Sequence, residues 1–213
     1  MKVDKDSLRL YAVTDRAWLV NATLEEQVEA AIQGGITFLQ LREKELPVEE
    51  FIKLAGEIKK ITDRTGIPFV INDELEVALA CGADGVHVGQ SDLSAGEVRR
   101  RVGEGKILGV SVQTVEQAVL AEREGADYLG VGAVFATSTK LDAGTVSFES
   151  LKAICEAVSI PVVAIGGINR ENVPELSGSG ISGIAVVSAI FAQKDIKAAA
   201  VELAGLVGRV VKL

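Results

Sequence analysis

A run of hydrogen-bond donors, Thr137-Ser138-Thr139-Lys140, follows an apolar stretch that starts at Tyr128. The stretch from Tyr128 to Ala136 contains no charged residue and indicates a buried strand. Three hydroxyls and one ammonium at the end of a strand suit a phosphate or diphosphate, because they combine several donors with a positive charge. A polar turn that leaves a core strand is the alternative, and the run by itself does not decide between the two.

A second cationic segment, Gln40-Leu41-Arg42-Glu43-Lys44, follows an apolar stretch earlier in the chain. Side chains alternate between the two faces of an extended chain, so Gln40, Arg42 and Lys44 are expected on one side. Two cations and an amide on one side fit a diphosphate group, and a solvated strand end is the alternative.

Two carboxylates stand directly after two further apolar stretches, in the segments Asn72-Asp73 and Gln90-Ser91-Asp92. Carboxylates at the mouths of adjacent strands, close to cations, predict a shared Mg²⁺ ion, since magnesium takes oxygen ligands, keeps waters and bridges to phosphate. Asp73 also precedes a short apolar helix, so a role as the N-cap of that helix is the alternative.

Three more strand ends complete the set of candidate residues, namely Ser111, Gly166-Gly167 and Val187-Ser188. Glycines let backbone N–H groups approach an anion, so the last two segments predict a second phosphate site. Ser111 could instead cap the next helix, although Thr114 already suits that role. The single histidine, His87, lies inside an apolar stretch and is interpreted as packed or hydrogen-bonded rather than catalytic.

The elements that must position these residues alternate along the chain. The predicted strands span residues 8–15, 36–41, 67–71, 85–89, 107–110, 128–136, 160–165 and 183–187. The predicted helices begin near residues 24, 47, 75, 94, 114, 148, 171 and 195. Strands two, four, six and eight each follow a glycine turn, and Asp84 and Asp127 in two of these turns are interpreted as turn residues rather than catalysts.

Eight strand–helix units in 213 residues predict a single (β/α)₈ TIM barrel that spans residues 1–213. An open doubly wound sheet is the alternative, but no Gly-x-Gly-x-x-Gly motif follows the first strand. Function in such a barrel lies at the carboxyl ends of the strands, so the polar segments are expected to meet there.

Composition narrows the classes of function. A net charge of −8 without a long basic run argues against nucleic acid as a partner. The apolar runs have the length of strands, so no membrane span is predicted. Two cysteines in apolar helical contexts and an N-terminus without an apolar signal region predict a cytoplasmic protein. The sequence shows neither a nucleophile–base pair nor zinc-ligand spacing, and it leaves open whether the chain forms a homo-oligomer.

The order of these motifs resembles the thiamine-phosphate synthase family over nearly the whole chain. The matching segments are residues 10–15, 40–44, 71–73, 86–93, 130–140, 164–168 and 187–190. That family joins a hydroxymethylpyrimidine diphosphate to a thiazole phosphate and releases diphosphate. The resemblance therefore implies a Mg²⁺-dependent transferase of thiamine biosynthesis whose partners are these small-molecule substrates.

The resemblance also implies roles for individual residues. The pyrimidine diphosphate would be held by Gln40, Leu41, Arg42, Glu43, Lys44, Asn72, Ser111 and Lys140. The thiazole phosphate would be held by Thr137, Ser138, Thr139, Gly167, Val187 and Ser188. Asp73 and Asp92 would ligate Mg²⁺, and Arg42, Ser111 and Lys140 are the candidate catalytic residues. In the implied mechanism the pyrimidine C–O bond breaks first and the thiazole nitrogen captures the cation, so no base is needed.

Two positions depart from the family pattern. Many members have a histidine where this chain has Gln113, and an arginine where it has Glu74. The related thiazole tautomerase is the alternative enzyme, but the family resemblance implies that it uses that histidine. A non-catalytic phosphate-binding barrel is the alternative of another class, and simple binding would not need both Asp73 and Asp92.

Overall fold

Eight parallel strands close on themselves into a barrel. The structure is a computed structural model that describes residues 3–19, 22–90, 92–136 and 145–211. The strands are β1 (Leu10–Val13), β2 (Phe38–Leu41), β3 (Phe69–Asn72), β4 (Gly85–Val88), β5 (Ile107–Val112), β6 (Tyr128–Val131), β7 (Val162–Ile165) and β8 (Gly183–Val186). They follow one another around the barrel in chain order, and β1 pairs with β8 to close it. The predicted (β/α)₈ barrel is confirmed.

Helices connect the strands. They are α1 (Leu24–Gln33), α2 (Val48–Thr65), α3 (Leu75–Ala80), α4 (Ala95–Val102), α5 (Val115–Arg123), α6 (Phe148–Ala157), α7 (Ser188–Phe191) and α8 (Ile196–Val210). Single 3₁₀ turns cover Lys5–Leu8, Arg16–Trp18 and Val173–Leu176. The helix predicted near residue 171 is thus a 3₁₀ turn, and the short α7 was not predicted. Within the described ranges, no helix has both the length and the apolar character needed to cross a membrane.

Helix ends follow the local rules from which they were predicted. At the start of α1 the hydroxyl of Thr23 accepts the Glu26 N–H at 3.2 Å, and the Glu26 carboxylate accepts the Thr23 N–H at 2.8 Å. This capping box satisfies two N–H groups that the helix itself leaves unpaired. At the other end of the next helix, Gly66 adopts a left-handed conformation with φ +70°. The observed start of α1 at Leu24 agrees with the predicted start near residue 24.

The sixth strand is shorter than its apolar sequence predicts. The prediction of residues 128–136 is wrong at its C-terminal end, because β6 stops at Val131. Beyond it, the N–H groups of Val134 and Phe135 donate to the carbonyls of Ile165 and Gly166, both at 3.0 Å. The chain therefore turns over the end of β7 instead of continuing along the barrel wall.

Two hydrophobic clusters are present among the described residues. The larger one fills the space between the strands and the helices, and outward-facing strand residues such as Leu10 and Ala12 belong to it. The smaller one lies inside the barrel and includes Tyr11, Phe38 and Tyr128, which are each at most 2% exposed. Alternation along the strands thus divides the side chains between the two clusters. The inner cluster closes the barrel below the carboxyl ends of the strands.

A recurring hydrogen-bond pattern occurs in the glycine turns before the even-numbered strands. In three of them a polar side chain just before the strand accepts the N–H of a residue at the start of the preceding strand. The pairs are Leu10 N to Thr37 Oγ1 at 2.9 Å, Phe69 N to Asp84 Oδ2 at 2.8 Å and Leu108 N to Asp127 Oδ2 at 2.8 Å. The interpretation of Asp84 and Asp127 as turn residues is therefore confirmed.

Candidate active site

A cavity of about 470 Å³ opens at the carboxyl ends of the strands. Its lining includes ten of the residues that the sequence singles out: Gln40, Arg42, Lys44, Asn72, Asp73, Asp92, Ser111, Gly167, Val187 and Ser188. They come from six different strands or from the residues directly after them. The expectation that these polar segments meet at one end of the barrel is confirmed.

The segment after β2 divides between the cavity and the interior, as its alternation predicts. Gln40, Arg42 and Lys44 line the cavity. Leu41 is fully buried in the cluster between strands and helices. Glu43 is 7% exposed and also lies outside the cavity lining. The structure therefore does not bring the side chains of Leu41 and Glu43 to the cavity, because residues next to inward-facing ones on a strand point the other way.

Arg42 and Lys44, the cations that line the cavity within the described part of the chain, each have a carboxylate partner. Arg42 Nη1 lies 3.1 Å from Asp15 Oδ2, and Lys44 Nζ lies 2.6 Å from Asp73 Oδ2. The backbone of Arg42 is held as well, since its N–H donates to the hydroxyl of Thr14 at 3.0 Å. The cations are thus held in place before a ligand arrives, and an incoming anion would share them with these carboxylates.

Asp73 has an unusual backbone conformation. Its φ is +61°, and it is the one non-glycine residue with a positive φ in the described part of the chain. Its N–H donates to the carbonyl of His87 at 2.8 Å, and its Oδ2 accepts from Asn72 and Lys44, both at 2.6 Å. The N-cap of α3 is Glu74, which makes no capping bond through its side chain. The N-cap alternative for Asp73 is therefore wrong, and its strained conformation holds a carboxylate at the cavity.

The second carboxylate, Asp92, is fixed by its own loop. Its Oδ2 accepts the N–H of Gly89 at 2.7 Å. Within the described residues, no group of three or more His, Cys, Asp or Glu side chains could hold a metal ion. A metal bound at this cavity would therefore take two protein carboxylates, from Asp73 and Asp92, and complete its shell with water and ligand oxygens. That donor set fits Mg²⁺, which prefers oxygen ligands and retains several waters.

A continuous line of hydrogen bonds runs along the floor of the cavity. It joins Gln40, Tyr11, Tyr128, His87 and Ser111, which come from five strands. The interpretation of His87 as a packed and hydrogen-bonded residue is confirmed, although His87 also lines the cavity. Burial raises the pKa of both Tyr11 and Tyr128 well above the usual range, so both phenols stay protonated. The centre of the line thus consists of two protonated phenols, with the charged side chains Arg42 and Lys44 at the cavity above them.

The opposite side of the cavity is formed by two glycines together with apolar residues and the hydroxyl of Ser188. Gly166 and Gly167 follow β7 with φ values of +98° and +66°. A Cβ atom on Gly167 would lie 2.4 Å from the carbonyl oxygen of Ala136, so only glycine fits there. The side chain of Asn172 supports this turn by donating to the carbonyl of Gly167 at 2.9 Å.

The predicted donor run Thr137, Ser138, Thr139 and Lys140 lies outside the described residues. The chain just before it is placed against the cavity wall, because Ala136 contacts the position of Gly167. The chain just after it returns nearby, where the N–H of Val146 donates to the carbonyl of Ala133 at 2.7 Å.

Three residues at or beside the cavity have no role assigned from the sequence. Asp15 holds Arg42, Gln90 donates to the carbonyl of Ser111 at 2.7 Å, and Gln113 lines the cavity. The departure at Gln113 thus lies in the site, whereas the one at Glu74 is exposed and outside the lining. Tyr11, His87 and Tyr128 meet inside the barrel, and the sequence carries no sign that they bond to one another.

The fold and the cavity together define a (β/α)₈ barrel in which the described residues place two cations and two carboxylates in the lining at the carboxyl face. The model of the family described as "Thiamine monophosphate synthase" matches residues 10–190. The chain belongs to this family, and it is accordingly a transferase of thiamine biosynthesis.

Individual relatives agree with this assignment. The chain is 57% identical over 194 residues to a thiamine-phosphate synthase of Ruminiclostridium cellulolyticum, with 91% of this chain and 92% of the relative covered. It is 53% identical to a thiamine-phosphate synthase of Clostridium tetani, with 92% and 94% covered. Among solved structures, thiamine phosphate pyrophosphorylase from Pyrococcus furiosus superposes with a TM-score of 0.90 at 38% identity, covering 98% of this chain and 99% of that one.

Proposed function

We propose that this cavity catalyses the thiamine-phosphate synthase reaction with Mg²⁺. A hydroxymethylpyrimidine diphosphate would be joined to a thiazole phosphate, and diphosphate would be released. The observation that carries the proposal is that two cations and two carboxylates from the ends of β2, β3 and β4 line a single cavity, with Lys44 bonded to Asp73. Family membership supplies the reaction, and this arrangement supplies a place for the diphosphate.

The pyrimidine diphosphate is assigned to the side of the cavity formed after β2, β3 and β4. Arg42 can present two parallel N–H donors to phosphate oxygens, and Lys44 adds a compact positive charge. Negative charge grows on the diphosphate as the C–O bond breaks, so these cations interact more strongly with the transition state than with the substrate. The resemblance assigns Lys140 to the same diphosphate, and that role stays a prediction.

Asp73 and Asp92 are the residues that would hold Mg²⁺. The bound ion would neutralise charge on the diphosphate, which lowers the barrier to its departure. The protein contributes by holding one carboxylate oxygen of each residue through the bonds from Lys44, Asn72 and Gly89. The carboxylates are therefore oriented before the ion and the substrate arrive.

The thiazole phosphate is assigned to the side formed after β7 and β8. Gly166 and Gly167 line this side of the cavity, and their positive φ values turn the backbone there in a way that suits an anion site. Val187 and Ser188 face the same cavity from the end of β8. The loops after the seventh and eighth strands are the usual phosphate site of such barrels.

The reaction requires no protein base. The departing diphosphate takes the bonding electrons, and the nitrogen of the thiazole then forms the new bond to the pyrimidine methylene carbon. The chain need only bind both substrates, orient them and exclude water. Neutral tyrosines and a hydrogen-bonded histidine at the floor of the cavity are consistent with such a role. We also propose a cytoplasmic location, which the two unpaired cysteines, Cys81 and Cys155, support.

A turnover assay tests the proposal against both alternatives. We expect thiamine phosphate and diphosphate in equal amounts only when both substrates and Mg²⁺ are present. A rearranged thiazole phosphate formed without the pyrimidine would instead identify a tautomerase. Binding of both substrates without any product would identify a non-catalytic barrel.

A further inference from the structure

The hydrogen-bonded line inside the barrel has an internal direction. Gln40 Nε2 donates to the hydroxyl of Tyr11, and that hydroxyl lies 2.8 Å from the hydroxyl of Tyr128. The Tyr128 hydroxyl lies 2.9 Å from His87 Nδ1, and His87 Nε2 lies 2.9 Å from Ser111 Oγ. We refer to these five residues as the relay. Its last member, Ser111, lines the cavity.

The direction follows from counting protons. An amide nitrogen only donates, so the oxygen of Tyr11 accepts from Gln40 and passes its own proton toward Tyr128. Tyr128 then donates its single proton to His87 Nδ1. An imidazole that accepts at Nδ1 carries its proton on Nε2, and that N–H donates to Ser111 Oγ. The hydroxyl proton of Ser111 is thereby left for an acceptor in the cavity.

The backbone around the relay is built to admit it. A Cβ atom at Gly109 would lie 2.2 Å from Tyr128 Cζ and 2.5 Å from His87 Nδ1. A Cβ atom at Gly130 would lie 3.2 Å from His87 Cε1. Glycines at these inward-facing positions of β5 and β6 therefore make room for the two rings. A barrel filled only for stability would place branched apolar side chains here.

We infer that Tyr11, Tyr128 and His87 are positioning residues that set the Ser111 hydroxyl as a hydrogen-bond donor to the pyrimidine substrate. The inference rests on the proposed function, which places that substrate beside Ser111. The relay fixes which histidine nitrogen carries the proton. That choice fixes whether Ser111 gives or receives a hydrogen bond in the cavity.

The first test is spectroscopic and needs no turnover. The chain has one histidine, so ¹⁵N-histidine labelling of the protein without a histidine tag reports a single ring. We expect a pyridine-like Nδ1 and a protonated Nε2 in the wild-type protein, at a pH where the ring is neutral. A ring protonated at Nδ1 would mean that the relay runs in the opposite direction and would overturn the inference.

The second test uses Tyr128→Phe, which removes the hydroxyl and keeps the ring. We expect mixed tautomers in the histidine spectrum and a loss of about tenfold in affinity for the pyrimidine diphosphate, measured by calorimetry. The affinity for the thiazole phosphate should not change. The matched control is Phe38→Leu, which alters packing 5.6 Å from the Tyr128 ring centroid without touching a relay bond. It should lower the melting temperature and leave the tautomer intact.

A double-mutant cycle tests whether Tyr128 affects pyrimidine binding through Ser111. If the relay acts through Ser111, Tyr128→Phe should weaken pyrimidine binding little further in a Ser111→Ala background. Additive losses would show that Tyr128 acts by another route and would overturn the inference. These tests measure binding and spectra and do not depend on turnover. If the turnover assay gives no thiamine phosphate, the proposed reaction is refuted, whereas the role of the relay is still decided by the binding and spectroscopic results.

Discussion

The two sides of the cavity are built from different kinds of groups. After β2, β3 and β4 the wall carries side-chain charges, with Lys44 and Asp73 2.6 Å apart. At the ends of β7 and β8 it consists of the Gly166-Gly167 backbone, apolar residues such as Ile165 and Val187, and the hydroxyl of Ser188. Both sides suit a phosphate. Among the described lining residues, however, the charged side chains that would interact more strongly as a phosphate group gains negative charge all lie on the first side.

This difference matches the different fates of the two substrates. The diphosphate of the pyrimidine gains charge as it leaves, so fixed charges beside it stabilise the transition state preferentially. The phosphate of the thiazole keeps its charge throughout, so contacts with it are uniform binding. Changes on the charged side should therefore lower turnover, and changes on the backbone side should raise KM.

The largest effect is expected at the carboxylates. Asp73→Asn should lower kcat by about 100-fold or more, since a neutral amide is a poor Mg²⁺ ligand. Asparagine tolerates the left-handed backbone of this position, so the fold should persist. The measurement is kcat as a function of Mg²⁺ concentration, with Glu74→Gln as the control, because Glu74 is exposed and outside the cavity lining. Near-normal turnover at saturating Mg²⁺ would remove Asp73 from the metal site.

Arg42→Lys should have the next largest effect. Lysine keeps the charge but cannot present two parallel N–H donors. It also loses the contact of Arg42 Nη1 with Asp15 Oδ2, which are 3.1 Å apart in the wild-type protein. We expect a loss of roughly tenfold in kcat, about 1.4 kcal/mol in barrier. Single-turnover kinetics and direct binding of the pyrimidine diphosphate separate the two contributions. If binding weakens by the full factor while bond breaking keeps its rate, Arg42 is a uniform binding residue.

On the backbone side, Gly167→Ala should act on binding and on stability. The left-handed φ of +66° costs an alanine roughly 1–2 kcal/mol, and its Cβ would collide with the Ala136 carbonyl. We expect a higher KM for the thiazole phosphate and a smaller change for the pyrimidine.

The matched control for that change is Gly178→Ala. Gly178 has a similar φ of +83°, but a Cβ there meets nothing within 4 Å and the residue lies outside the cavity lining. It should lower the melting temperature without changing either KM. Equal kinetic effects from the two alanines would mean that the loop after β7 does not hold the thiazole phosphate.

The smallest kinetic effect is expected at Glu43, which belongs to the cationic segment yet faces away from the cavity. Burial raises the pKa of its carboxyl above the usual range, although Arg16 opposes this. The pKa of Glu43 is therefore higher in the folded state than in the unfolded state. Because of this difference, ionisation of Glu43 destabilises the fold once the pH rises above the unfolded-state pKa. Glu43→Gln should therefore gain stability relative to wild type as pH rises through that range to the raised pKa. The check is denaturant unfolding against pH, together with kcat/KM, which should not change; a large kinetic loss would place Glu43 in the site.

Local rules explain which parts of this arrangement could be predicted from the sequence. Alternation along a strand placed Gln40, Arg42 and Lys44 together because it depends only on neighbouring residues. The relay could not be predicted, because Tyr11, His87 and Tyr128 meet only after the barrel has closed. The early end of β6 could not be predicted for a related reason. Hydrogen bonds from Val134 and Phe135 to carbonyls at the end of β7, which lies much later in the sequence, turn the chain there.

The most direct test of the two-sided cavity is a crystal structure with thiamine phosphate, diphosphate and Mg²⁺ bound. We expect diphosphate against Arg42 and Lys44, with the metal ion between it and the carboxylates of Asp73 and Asp92. The phosphate of the thiazole half should lie against Gly167 and Ser188. Diphosphate bound at the glycine turn, or a metal ion held away from both carboxylates, would contradict this assignment of the two sides.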